Sequence, residues 1–175
     1  VKHYQARARA HATVGEYSKA MSDYKEAIRQ DPKTISHYYS LAKLCINTGD
    51  FNNAQLCYSK ILELNPSDSD AIFTRGQLLL KLNKVALAIK DFNTAIKQNG
   101  ANSLYHEFYA ISFLLAGHTR KAHKAFQNMA DNGLHCEAYD NTRYNFKLSG
   151  LEISTILSLE LKTDKKFFVS PNIPS

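Results

Sequence analysis

Apolar residues along this chain keep a helical spacing that is broken at regular intervals. Tyr38, Leu41, Ala42 and Cys45 fall at i, i+3, i+4 and i+7, which is one stripe of a helix. After a break at Gly49, Ala54, Tyr58 and Ile61 form a second stripe. The paired stripes return with a step of 34 residues. Gly15-Glu16-Tyr17-Ser18-Lys19-Ala20 is followed by Gly49-Asp50-Phe51-Asn52-Asn53-Ala54, then by Asn83-Lys84-Val85-Ala86-Leu87-Ala88 and Gly117-His118-Thr119-Arg120-Lys121-Ala122. Four units without an insertion cover residues 1–136, as 1–34, 35–68, 69–102 and 103–136.

Each unit reads as two antiparallel helices. The break needs a residue that tolerates positive φ at a helix C-terminus, and Gly15, Gly49, Asn83 and Gly117 supply it. Pro32 and Pro66 stand where the second helix must stop. The run Ser67-Asp68-Ser69-Asp70 then offers side-chain oxygens to the orphan N–H groups of the next helix. A small column, Ala8, Ala42, Gly76 and Ala110, meets Ala20, Ala54, Ala88 and Ala122 where the helices cross, so the backbones can approach. An aromatic column, Tyr24, Tyr58, Phe92 and Phe126, reaches toward the next unit. One hairpin cannot bury its apolar face alone, so stacking is required.

A second pairing follows from the turn. Arg7 and Asp23 lie eight residues either side of position 15, and Arg75 and Asp91 repeat them two units on. The other units lose both charges together, as Leu41 with Cys57 and Tyr109 with Ala125. Salt bridges Arg7–Asp23 and Arg75–Asp91 between the helices of one hairpin are therefore expected.

This pattern resembles the tetratricopeptide repeat family. The small residue at 8 and Gly15, Tyr17, Ala20, Tyr24, Ala27 and Pro32 stand where that family's unit has them. The resemblance implies an all-α, right-handed α-solenoid whose first helices line a concave groove. It also implies a protein partner, a peptide or helix segment held in that groove, and no enzyme activity. The implied groove positions give Gln5 and Arg9 in the first unit, Tyr39 and Lys43 in the second, Phe73, Gln77 and Lys81 in the third, and Glu107 and Phe108 in the fourth. Basic residues open the series and apolar ones close it, which suits an acidic-apolar partner segment. Tyr39 and Phe73 share one register position and are expected to form an aromatic shelf. Chaperone-adaptor members hold a C-terminal carboxylate with Lys, Asn and Arg at set positions; here those positions hold Gln5, Arg9, Ser40, Asp70 and Thr74, and Asp70 would repel the ligand.

Residues 137–161 read as a degenerate fifth hairpin capping the array, with a first helix over Cys136–Leu148 and an apolar second helix from Leu151 to Leu161. Residues 162–175 read as an extended tail.

Composition adds little to this picture and removes much. In 175 residues, 44% are hydrophobic and 22% charged, with 7 Gly, 4 Pro and no Trp, which excludes disordered, collagen-like and turn-rich all-β chains. Net charge is +6, but it is spread along the chain and residues 35–68 are net acidic, so nucleic acid is a weak expectation. An RNA-binding helical-repeat module and a structural spacer in a cytoskeletal or ciliary assembly remain alternatives. Cys45, Cys57 and Cys136 lack metal-ligand spacing and read as reduced thiols, which points to the cytoplasm. His118 and His123 are five apart and sit on different helix faces. No phosphate-binding loop, nucleophile elbow or paired-histidine zinc motif occurs, so no metal, cofactor or catalytic residue is assigned.

Overall fold

The computed structural model describes residues 2–134, together with the backbone of two short strands beyond them. Eight helices follow one another: α1 (Lys2–Thr13), α2 (Tyr17–Gln30), α3 (Ile35–Asn47), α4 (Phe51–Leu64), α5 (Ser69–Lys81), α6 (Val85–Gln98), α7 (Ser103–Leu115) and α8 (Thr119–Asp131). The fold is the expected all-α architecture of antiparallel helix hairpins.

The hairpin turns are local structures encoded by single residues. Gly15, Gly49 and Gly117 have φ of +79°, +77° and +74°, and Asn83 has +56°. Around each glycine the last carbonyls of the helix are satisfied in the same way. At the first, Glu16 N–H donates to His11 at 2.9 Å and Gly15 N–H donates to Ala12 at 3.3 Å. The same two bonds recur as Asp50 to Cys45 with Gly49 to Ile46, and as His118 to Phe113 with Gly117 to Leu114. This double closure turns the chain without leaving buried acceptors unpaired. The fourth repeat lacks the terminating proline, and Gly133 takes over: its φ is +70° and Leu134 N–H donates to Met129 at 3.0 Å.

Helix starts are capped where the sequence provides an acid or amide. Asp50 accepts from Asn53 N–H, Asp68 from Ala71 N–H and Asn102 from Leu104 N–H. Thr34 does not cap α3; its hydroxyl donates to Asp31 instead, at 2.6 Å.

The chain divides into two compact units, residues 1–82 and 83–175. In the first, α1 pairs with α2 and α3 with α4, while α2 packs on α3 and α4 on α5. Its core joins Ala8, Ala20, Tyr24, Leu41, Ala42, Leu44, Cys45, Ala54, Cys57, Tyr58 and Ile61. In the second, α7 packs against both α6 and α8, and Ala110, Ile111 and Phe126 form a core cluster. Every member of the small and aromatic columns is buried.

Beyond α8, Tyr139–Asp140 pairs antiparallel with Asn145–Phe146, Tyr139 opposite Phe146 and Asp140 opposite Asn145. This corrects the helix expected over Cys136–Leu148 at these four residues. Asp and Asn are poor helix formers and Tyr and Phe favour strands, which suits the pairing of Tyr139–Asp140 with Asn145–Phe146. The rest of the proposed fifth hairpin and the tail lie outside the described residues.

Candidate functional site

The first unit carries an open cleft of about 290 Å³ lined by Tyr39, Ser40, Lys43 and Ile46 of α3 and Tyr58 of α4. Tyr39, Lys43 and Ile46 appear on one side of α3 because they are three or four residues apart. The opposite face of α3 buries Leu41, Ala42, Leu44 and Cys45 in the core.

Two phenols stiffen the cleft. The Tyr39 hydroxyl donates to Asp68 Oδ2 at 2.9 Å, and the other oxygen of that carboxylate caps α5 through Ala71 N–H at 3.0 Å. The Tyr39 ring meets Tyr58 edge-on, with centroids 5.8 Å apart and planes at 85°. Burial, then the bond to Asp68, pushes the Tyr39 hydroxyl well above the ordinary phenol range, so it stays a donor. Burial also raises Tyr58, which shares a hydrogen bond with Thr74.

Lys43 lines the cleft with these rings. Arg9 on α1 and Lys43 on α3 share one register position, both are exposed, and neither has an ion-pair partner among the described residues. Neither α1 nor α3 contains an Asp or Glu. Gln5, Phe73 and Gln77 are half-buried on α1 and α5. Lys81, also on α5, lays its ammonium 5.4 Å from the centre of the Phe51 ring.

The fourth repeat departs from its expected role. Phe108 is only 6% exposed and its ring lies against Phe92, centroids 5.7 Å apart. It is a core side chain rather than a free groove residue, because this register position in α7 faces the aromatic column of α6. Glu107 beside it is half-buried.

The two residue pairs predicted from the turn fall differently. Arg7 Nε donates to Asp23 Oδ2 at 2.7 Å and Nη2 to Oδ1 at 2.6 Å, a two-pronged bridge between α1 and α2. Asp23 is buried while the Arg7 side chain is 56% exposed, its guanidinium carbon 5.4 Å from the centre of the Tyr4 ring. The hydrogen bond from Arg7 holds the Asp23 carboxyl below the usual range. Arg75 belongs to the first unit, where its Nη1 reaches Ser59 Oγ at 3.5 Å, and Asp91 is buried in the second.

Two features escaped sequence reasoning. The Asp68 link joins residues 29 apart, and only its helix-capping role shows in the local pattern. His37 is buried with no partner for Nδ1 among the described residues.

The cysteines of the first unit behave as core residues. Both are buried and unpaired with each other; burial pushes the Cys57 thiol up to about 12 and raises Cys45 as well. Among the described residues no group of His, Cys, Asp and Glu is placed to hold a metal ion, and no helix is long and apolar enough to cross a membrane.

Comparison with known proteins points one way. Tetratricopeptide repeat models match residues 2–34 and 36–68, and a further one matches 57–90. Superkiller complex protein 3 of Mus musculus is 29% identical over 87 residues, covering 50% of this chain and 6% of that protein. Tetratricopeptide repeat protein 12 of the same species is 31% identical over 87 residues, covering 50% of this chain and 12% of that protein. The chain therefore spans a small part of these relatives. Among solved structures, MamA from Desulfovibrio magneticus RS-1 superposes with a TM-score of 0.64 at 22% identity, covering 74% of this chain and 73% of that one. A tetratricopeptide repeat protein from Parabacteroides merdae gives 0.63 at 21%, covering 74% and 51%. With the helix pairs, the turn residues and the buried columns all in the same register, the chain belongs to the tetratricopeptide repeat family.

Proposed function

We propose that this chain is a non-enzymatic protein-interaction scaffold whose first unit holds a peptide or helix of a partner protein across α1, α3 and α5. The observation that carries this reading is the α3 cleft: two phenols held by hydrogen bonds, a mostly apolar lining, and Lys43, which has no ion pair among the described residues. Pre-fixed aromatic walls reduce the ordering cost of binding, and aromatic anchors are where interface energy concentrates. Phe73 and Gln77 of α5 extend the surface, with Gln5 of α1 at its other end. An acidic-apolar segment suits the α1 and α3 part of this face, where neither helix has a carboxylate, with its apolar part toward α5, whose first turn carries Asp70.

Site-specific photocrosslinking tests the assignment. A benzophenone side chain placed at Ser40, in the cleft, should give a defined adduct in cells that express the natural partner. The same group at Ser18, exposed on α2, should not give that adduct. The Tyr39→Ala, Phe73→Ala double change should abolish the Ser40 adduct. Persistence of the adduct in that variant would remove the cleft from the binding surface.

A further inference from the structure

The two units treat the charges of their second helices differently. On α2 and α4 three of the four cations are matched one turn away, Lys19 with Glu16 at 2.8 Å, Arg29 with Glu26 at 2.7 Å and Lys60 with Glu63 at 2.6 Å, and Lys25 is the exception. On α6 and α8 no cation is matched in this way. Lys90, Lys97, Arg120 and Lys124 are exposed and make no ion pair with any described residue. Lys121 is exposed too, and its ammonium contacts only a ring face, 5.9 Å from the centre of Phe113. Of the carboxylates on these helices, Asp91 is buried and Asp131 is the last residue of α8.

These cations share one side. Ala88, Phe92 and Ala95 of α6 are buried, and so are Ala122, Phe126 and Met129 of α8, which occupy the same register. The outward faces of the two helices therefore correspond. Lys90 and Lys124 hold the same register position on successive hairpins, on either side of α7. One apolar side chain stands among them: Leu87 is 48% exposed, one turn before Lys90 on α6.

We infer that the outer face of α6 and α8 is a second docking surface, for an acidic segment of a partner protein that also carries an apolar residue to cover Leu87. Charge complementarity selects an anionic partner. The chemistry of the face selects protein over nucleic acid. The phenylalanines of these helices, Phe92 and Phe126, are buried, so neither is available to stack a base. Four of the five cations are lysines, point charges without the planar fork that reads phosphate in two-pronged fashion. Leu87 finds no use against a sugar-phosphate chain. The surface is distinct from the α3 cleft, and either can fail without the other.

The test uses the full chain and a labelled synthetic helix of about four turns, built of glutamates with leucines at helical spacing. Comparators are the same peptide with serine for leucine and an oligouridylate of equal charge. Binding is measured by fluorescence anisotropy at physiological salt, where surface charges act over about 8 Å. The leucine-containing peptide should bind. The Lys90→Glu, Lys124→Glu change should weaken it on the order of tenfold or more. Lys97→Glu with Arg120→Glu provides an independent second variant with the same expected direction. The Tyr39→Ala, Phe73→Ala change should leave this affinity unaltered, and the serine peptide should bind several-fold less well. Oligouridylate binding as tight as the peptide would make the face a phosphate site and overturn the inference. Loss of peptide binding in the Tyr39, Phe73 variant would do the same by placing the segment in the cleft, as would an unchanged affinity after both charge reversals.

Discussion

Asp23 shows how one buried carboxylate can organise a hairpin. Both of its oxygens take a hydrogen from the Arg7 guanidinium, and His11 Nε2 lies 3.9 Å away. Its carboxyl titrates below the ordinary value of 3.8, and the exposed Glu26 carboxyl beside Arg29 is brought from 4.5 to about 2. The folded state thus favours the ionised forms. That stability is fully present above the unfolded values and is lost as pH falls through the depressed folded ones. The melting temperature should therefore drop between about pH 4.5 and pH 2. In Arg7→Leu the drop due to Asp23 should shrink, and calorimetry across this range checks it. The Asp23→Ala, Arg7→Leu double change should destabilise by less than the sum of the two single changes, because Arg7→Leu alone strands the buried Asp23 charge. The same cycle on Arg75 and Asp91 should give coupling of the same sign. The Arg7–Asp23 pairing was legible because both charges disappear together in alternate units. The partners of Tyr39 were not, since Asp68 reads locally as a helix cap and nothing in the pattern sends it 29 residues back to a phenol.

Each helix is bounded by a few residues, and the strength of those boundaries can be measured. At Gly49 a Cβ would touch nothing within 4 Å, so the cost of substitution is backbone conformation alone. Gly49→Ala should destabilise by about 1–2 kcal/mol. Asn83, in the same conformation with φ of +56°, carries a smaller strain. Asn83→Gly should stabilise by on the order of 0.5 kcal/mol. Urea denaturation of both variants tests the pair, and equal or reversed effects would contradict the common role of these turns. The repeat register located all four turns because positive φ restricts the choice to Gly and Asn. It did not foresee the end of α8, where Gly133 replaces proline, because a lone glycine lacks the periodic support of the others. It also misjudged Tyr139–Asp140 and Asn145–Phe146, where aromatic spacing alone does not distinguish a helix from a strand pair. Phe108 shows a different limit. Register assigns a face by analogy, but a large ring in a neighbouring hairpin, here Phe92, can recruit that side chain into the core.

At the scale of the molecule, the two units divide their surface chemistry. The first pairs three of the four cations of α2 and α4 with neighbouring carboxylates and leaves Arg9 of α1 and Lys43 of α3 without an ion pair among the described residues. The second leaves the cations of α6 and α8 without one. If both proposed surfaces bind acidic segments, each interaction should weaken with added salt. The capping role proposed for residues 137–161 is testable at this scale. An array of repeats needs a terminal element that covers its last apolar face. Truncation after Leu134 should lower the unfolding midpoint and promote self-association in sedimentation velocity. A truncated chain that remains monomeric and equally stable would remove the capping role.

Asp68 sits at a junction between two otherwise separate events. One of its oxygens accepts the hydrogen bond of the Tyr39 hydroxyl and the other anchors the first turn of α5. An incoming side chain that turns Tyr39 aside releases half of that carboxylate, and the change in charge density falls on the Ala71 amide. The chain thus contains its own reporter. The Ala71 proton resonance should move on occupancy of the cleft, although Ala71 itself is buried and touches no ligand. In Asp68→Asn the shift should be much reduced while the ligand still binds, which separates sensing from holding.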